Sequence, residues 1–358
     1  MSSRRNPRFY LDDVLTALQD KDILRAFGDY MNAAPLPSRQ REGASDKTIR
    51  GYVHDAANFL QWWKQTEGAA FTMEALRRDP YMLNKKVIQD YIAYLERKSA
   101  IATVLHKAAA LRAFVKFLQA SKAIEHDPML GLRLPRKAEG EPRGLDDKQR
   151  ARFEAVFQQP WLDRAPKRKR TTEVEARVRE NAEHQLVRDR AIVFLMMYAG
   201  PRVEEVYQLN VGDVELREKS GAIHIRRGKG WKERKSAIPL PARKRLAEWL
   251  EVRKKIGLEN VPEAPLFVTL RGEIGNRLSI RAIQNMIAEA GRRAGIKEPV
   301  TPHVLRHTCA YMLRRAGVDI ETRAKMLGHS IETARKYGEP GESEIEKAAS
   351  RLDDAEAI

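Results

Sequence analysis

The chain has 358 residues, 66 of them Lys or Arg against 49 Asp or Glu, for a formal net charge of +17 at pH 7. Hydrophobic residues make up 42% and charged ones 32%, which excludes a disordered chain, and the length suits two or three domains with cores of their own. No apolar run nears the ~18–20 residues that span a bilayer, and the N-terminal MSSRRNPRFYLDD lacks the apolar stretch of a signal peptide. The single cysteine, Cys309, excludes an internal disulfide framework and a Cys-rich zinc site. A soluble, cytoplasmic protein with no membrane partner is expected. The positive excess opposes compaction and points to a polyanionic partner, nucleic acid being the commonest; a basic enzyme surface acting on a small acidic substrate is the plainer reading.

No internal repeat of 20–50 residues is visible. In chain order, Ile49, Val53, Ala56, Leu60 and Trp63 form one apolar stripe of a 3.6-period helix, with Ser45 as N-cap and Lys47, Arg50, His54, Asn58 and Gln61 opposite. Asn84 caps a helix running to Lys98 with Val87, Ile88, Tyr91 and Leu95 inward. Val104, Ala108, Leu111, Val115 and Leu118 repeat the stripe and leave Arg112 and Lys116 on one flank. Four or so short helices would make a bundle over residues 1–134. Residues 135–144, with Pro and Gly and no periodicity, read as a linker.

Beyond it the pattern is mixed. Five of the seven residues from Arg164 to Arg170 are basic, and a charged helix-like stretch runs on to Gln185, so 161–185 reads as a basic insertion. Arg188–Tyr198 is an apolar helix. Ala222–Arg226 and Lys235–Leu240 read as strands joined by a turn at Gly228-Lys229-Gly230, Pro265–Thr269 is a candidate third strand, and helices dominate from Arg281. The last 18 residues, 341–358, invert the charge, with six acidic residues against Lys347 and Arg351, yet keep a stripe of Ile345, Ala348, Leu352 and Ala355.

Three segments carry chemistry. In Tyr198–Leu209, Gly200 and Pro201 suit a helix N-cap and first-turn position, which puts Arg202 in the first turn, where a cation is unfavourable unless an anion is held there. Glu205, three residues on, is placed to orient it. In Thr301–Thr308, Thr301 and Pro302 start a helix that sets His303 and Arg306 on one face, with His307 beside them. In Met326–Gly338, Gly328 ends one helix, Ser330 caps the next, and Tyr337 falls near that helix's end.

Taken together, these segments resemble the tyrosine recombinases, the phage integrase family that includes Xer-type enzymes. The family's ordered signature of Arg, Lys, His-x-x-Arg, His and Tyr falls on Arg202, Lys229, His303, Arg306, His329 and Tyr337, within Gly-x-Arg-Val-x-Glu, Gly-Lys-Gly-x-Lys-Glu-Arg, His-x-Leu-Arg-His-Thr and Leu-Gly-His-Ser. The match runs from about Gly144 to Pro340. Position 201 is Pro where the family often has an apolar residue. Tyr337 follows His329 by eight residues, about one fewer than the Xer-like pattern, and a shorter turn at His329–Ile331 would keep the nucleophile in register. Tyr311, the nearest rival, lies inside the His-x-x-Arg helix and reads as core.

The resemblance implies a mainly α fold with a small antiparallel β-sheet in the C-terminal domain: a helical core-binding domain over 1–134, the linker, a mixed α+β catalytic domain over 145–340, and an acidic tail helix packing on a neighbouring protomer. It implies that Tyr337 attacks a DNA phosphodiester, forms a 3′-phosphotyrosyl link and frees a 5′ hydroxyl protonated by Lys229. Arg202, Arg306, His303 and His329 would hold the nonbridging oxygens, with Glu205 and His307 in support and no metal, ATP or other cofactor. Lys47, Arg50, Arg112, Lys116, Lys232 and Arg234 are the expected DNA contacts, with the two domains clamping the duplex. Expected partners are double-stranded DNA carrying recombination sites, accessory DNA-bending proteins, and copies of the chain, a monomer or weak oligomer that tetramerises on two sites. A type IB topoisomerase, a noncatalytic DNA-binding regulator and a metal-dependent nuclease are the rival readings.

Overall fold

The computed structural model describes residues 21–33, 46–68, 70–136, 143–161, 172–226, 233–258, 261–328 and 330–335. It divides into two compact units, Met1–Glu139 and Gly140–Ile358, the division falling inside the segment 135–144.

The first unit is helical: α1 (Lys21–Ala33), α2 (Asp46–Glu67), α3 (Met73–Arg78), α4 (Lys85–Lys98) and α5 (Ile101–Ala120). Both long stripes face inward, every one of their ten residues being buried. Asn84 caps α4 by accepting from Val87 N at 3.2 Å, which satisfies a donor the helix start would otherwise leave unpaired. Ser45 lies outside the described residues. At 22 and 20 residues, α2 and α5 are longer than the short helices expected, because each stripe continues through Trp63 and Leu118 without a breaker. Aromatic rings fill the centre in edge-to-face pairs, Phe59 on Tyr91 and Trp63 on Phe71 at 5.1 Å and Phe27 on Phe114 at 5.2 Å, the arrangement that ring quadrupoles favour.

The second unit joins helices to a small sheet: α6 (Asp147–Ala155), α7 (Thr172–Ala199), α8 (Val203–Gln208), β1 (Val214–Leu216), β2 (Gly221–Ile225), β3 (Arg234–Ala237), α9 (Leu240–Lys255), α10 (Ile280–Arg293), α11 (Pro302–Arg315), α12 (Ile320–Leu327) and α13 (Ile331–Arg335). The sheet is antiparallel in the order β1-β2-β3, with Ile223 opposite Val214 on one side and Ser236 on the other. Two expectations change here. The third strand is Val214–Leu216, while Pro265–Thr269 makes only isolated bridges, Asn210 with Pro265 and Val268 with Arg277. The charged stretch before Gln185 is no separate element but the exposed first half of the 28-residue α7, whose buried half begins near Arg188; residues 162–171 lie outside the described set. The core gathers α7, α9, α10 and α11 around Leu195, Trp249 and Leu305, all fully buried. Among the described residues no helix is long and apolar enough to cross a membrane.

Candidate active site

The site is assembled where three chain segments meet. Gly200 ends α7 in the left-handed region, φ +68°, rather than capping α8 as the Gly-Pro pair suggested. Only Gly200, Pro201 and Arg202 separate the helices, so the same residues carry the signature of either a stop or a start, and the positive φ at Gly200 decides for a stop. A Cβ on Gly200 would lie 2.3 Å from Leu327 Cδ2 and 3.2 Å from Cys309 Sγ, so the missing side chain also lets α11 and α12 close on this junction. Arg202 is therefore the N-cap of α8, and the helix starts two positions later than the Gly-Pro pair implies.

Glu205, with 4% of its surface exposed, sits between two guanidinium groups. Its Oε2 accepts from Arg202 N at 2.7 Å and its Oε1 from Arg202 Nη1 at 3.0 Å. Arg234, the first residue of β3, forks onto the same carboxylate, Nη1 to Oε1 at 2.8 Å and Nη2 to Oε2 at 2.7 Å. Burial opposes the charge on Glu205, but the Arg234 hydrogen bonds and the attraction of both arginines outweigh it and hold the carboxyl below its ordinary range. Arg234, expected on DNA, thus has its guanidinium turned inward on Glu205.

Both signature arginines read the end of α12. That helix starts at Asp319, which accepts from Thr322 N at 2.8 Å, and ends at Gly328, φ +61°. Its last carbonyls lack partners within the helix and carry the negative end of the dipole. Ser236 Oγ donates to Met326 O at 3.4 Å, Arg306 Nη2 to Leu327 O, and Arg202 Nη2 to Gly328 O at 2.9 Å. Arg306 Nη1 reaches Gly200 O. Arg306 is 2% exposed, and it is held in place because α11 begins on a Thr301 cap, Val304 N to Thr301 Oγ1 at 3.3 Å, with Pro302 in its first turn.

Arg202, Glu205, Arg234 and Arg306 are thus brought together within one turn of the end of α12. His303 is exposed on α11, its ring centroid 6.4 Å from that of half-buried His307. Burial first, then the neighbouring charges of His303 and Arg306, push His307 down to about 4. Lys229, Lys232, His329 and Tyr337 lie outside the described residues. Tyr311, read as core, is 44% exposed; it follows Ala310 onto the outer face of α11, where the Arg315 guanidinium lies 5.8 Å from its ring. In the first unit Lys47, Arg112 and Lys116 are exposed and Arg50 is half-buried. Among the described residues no cluster of His, Cys, Asp and Glu could hold a metal ion.

Two contributors left no pattern to find. Asp213, 3% exposed, pairs with Arg226 at the end of β2 and accepts from Asn210 N at 2.8 Å. Arg277 donates to Tyr207 O at 2.6 Å and Leu209 O at 2.9 Å, tying down the carbonyls that end α8. Asn210 is a local partner of Asp213, but Arg226 and the carbonyls held by Arg277 come within reach only through the fold.

Residues 170–343 match the phage integrase family. The chain is 33% identical over 243 residues to the tyrosine recombinase XerC of Vibrio vulnificus, 67% of this chain and 66% of that protein, so this alignment spans about two thirds of the relative's length. It is 31% identical to XerC of Vibrio cholerae over 67% of each chain, and 29% identical to XerD of Oceanobacillus iheyensis over 84% of this chain and 89% of that one. Its fold is shared with XerH bound to its difH substrate (TM-score 0.62, 18% identity, covering 92% of this chain and 94% of that one) and with a lambda integrase dimer on a COC′ core site (TM-score 0.61, 13% identity, 89% and 95%). The chain belongs to the phage integrase family, as an Xer-like tyrosine-type site-specific recombinase.

Proposed function

We propose that this recombinase cuts and rejoins DNA at specific sites through a 3′-phosphotyrosyl intermediate on Tyr337, with Arg202 and Arg306 holding the scissile phosphate. The convergence of the two guanidiniums on consecutive carbonyls, Leu327 O and Gly328 O, carries this reading. Arginines from two chain segments thus meet at one helix end, close enough to be shared by a single small anion. A guanidinium has five N–H donors in a fixed fork, and those of Arg202 on Glu205 and Gly328 O leave others for the anion.

In the reaction, the Tyr337 hydroxyl gives up its proton to a neighbouring base or water as its oxygen attacks phosphorus, the bond to the 5′ oxygen breaks, and Lys229 gives that oxygen its proton. Charge accumulating on the nonbridging oxygens is met by arginines already oriented, with His303 and His329 adding hydrogen bonds. Rejoining is the reverse step with a new 5′ hydroxyl, so the phosphodiester bond energy is conserved and no ATP is consumed. His307, neutral near pH 7, adds no charge to the site.

Exposed Lys47, Arg112 and Lys116 support DNA contact by the first unit, and the relatives solved on difH and on a core site support a specific-site substrate. Pairing two sites calls for several copies of the chain, a tetramer in the full reaction, with the acidic segment 341–358 joining neighbours. The test is a suicide substrate in EDTA: Tyr337→Phe should bind and form no covalent adduct, while Tyr311→Phe should form one. A dead Tyr311→Phe with an active Tyr337→Phe reassigns the nucleophile. Strand exchange between two sites, rather than relaxation of a supercoil alone, separates recombinase from topoisomerase.

A further inference from the structure

Arg202 has two guanidinium anchors, Glu205 Oε1 and Gly328 O. Arg234 touches the source of both. Its fork fixes the plane of the Glu205 carboxylate through two bonds of 2.7–2.8 Å, and an ideal Cβ on Gly328 would lie 2.8 Å from Arg234 Cζ, 2.9 Å from Nη1 and 3.0 Å from Nε. The guanidinium therefore lies flat beneath the residue whose carbonyl receives Arg202 Nη2. The Nε of Arg234 is buried with no hydrogen-bond partner among the described residues. A buried unpaired donor costs stability, so this placement is poorly explained by packing alone.

Charge makes the same point. Glu205 paired with Arg202 alone would form a neutral couple, and the carboxylate would compete with a phosphate for the guanidinium. A second guanidinium on the same carboxylate restores a net positive cluster, so Arg202 stays available to an anion while remaining fixed.

We propose that Arg234 is a positioning residue for strand cleavage: by gripping Glu205 and supporting Gly328 it sets the orientation and effective charge with which Arg202 meets the scissile phosphate. The inference rests on the assignment of Arg202 to that phosphate. Lysine cannot replace the fork, since an ammonium donates as a point charge. Arg234→Gln should slow single-turnover cleavage about a hundredfold, and Arg234→Lys about tenfold, the scale on which a small misplacement at a reacting centre is felt. DNA affinity should change little, because Arg234 faces inward.

The experiment measures single-turnover cleavage of a suicide duplex by Arg234→Gln, Arg234→Lys, Arg202→Ala, Lys229→Ala and the Arg202→Ala/Arg234→Gln pair, with DNA affinity and melting temperature recorded for each. Each is run on an all-oxygen substrate and on one with sulfur at the bridging 5′ position, whose thiolate leaves without a proton. If Arg234 acts through Arg202, the double variant cleaves no more slowly than Arg202→Ala alone. Sulfur then relieves Lys229→Ala but not Arg234→Gln. Wild-type cleavage by Arg234→Gln beside an impaired Arg202→Ala overturns the inference alone, as does relief by sulfur or an additive double variant. Wild-type cleavage by Arg202→Ala overturns the phosphate assignment and the inference with it. Should Arg234→Gln melt below the assay temperature, the charge-preserving Arg234→Lys decides by the same readings.

Discussion

The two units bury different things. All eight buried polar or charged residues among those described, Arg188, Asp189, Glu205, Asp213, Ser236, Arg253, Arg306 and Thr308, belong to the second unit. The first is closed by aliphatic and aromatic side chains, with Phe59 and Phe114 fully buried. Apolar burial is non-directional and tolerates adjustment, whereas a buried charge must be met at a defined distance and angle or its desolvation is uncompensated. The second unit accepts that cost around the signature arginines, where direction is what the chemistry needs.

The sharpest way to break this contrast is to remove a buried charge. Glu205→Ala leaves Arg202 and Arg234 facing each other with no carboxylate between them. Stripping one partner from a buried ionic network costs about 3–5 kcal/mol, and cleavage by the molecules that remain folded should fall at least ~10²-fold as Arg202 loses its anchor. Denaturant unfolding together with single-turnover cleavage checks both. Loss of stability with normal cleavage would make the network purely structural.

The counterpart in the first unit is Leu118→Ala. Leu118 is fully buried on α5, and truncation of such a leucine costs about 2–5 kcal/mol in transfer and cavity terms. Here cleavage per folded molecule should stay at the wild-type rate, measured below the unfolding midpoint. A stability loss of that size with a changed rate would show that the first unit also positions the chemistry.

This difference also governs how much was legible in the sequence. The stripes of α2 and α5 and the cap of α4 were readable because neighbours along the chain determine them. The signature is legible as an ordered set; of it Arg202 and Arg306 converge with Glu205 near the end of α12, while Lys229, His329 and Tyr337 lie outside the described residues. A helix stop and a helix start share Gly and Pro, so Gly200 alone does not tell them apart, and the exposed half of α7 has no apolar stripe that joins it to the buried half. Arg234 stands in a basic motif that suggests a DNA contact, and nothing local reports that Glu205, 29 positions earlier, meets it at 2.7 Å. Arg277, 68 positions from Leu209, is hidden for the same reason.

Between these large effects and the finest one lies capping. Asn84→Ala removes the acceptor for Val87 N and should lower stability by about 1 kcal/mol, seen as a shifted denaturant midpoint at unchanged cleavage. Because the cap satisfies a single donor at a surface helix start, a loss approaching that of Leu118→Ala would mean that α4 carries more of the first unit's stability than its packing suggests.

The smallest expected effect is one of pH, and it probes the second unit without removing a buried charge. An unhindered imidazole takes its proton near 6.5, while His307 in the fold is pushed down to about 4 by burial and by the charges of His303 and Arg306. Between those values the unfolded chain binds a proton that the folded chain refuses. Unfolding is therefore favoured progressively as pH falls from about 6.5 toward 4, and the effect levels off below. His307→Gln removes this contribution, so its stability should decline less steeply over that interval than that of the wild type, measured as denaturant midpoints at several pH values. The same substitution should leave the cleavage rate near pH 7.5 close to normal, because His307 is neutral there and lends no charge to the phosphate. An unchanged slope would mean that His307 titrates alike in both states and that the second unit's charge network stops short of it.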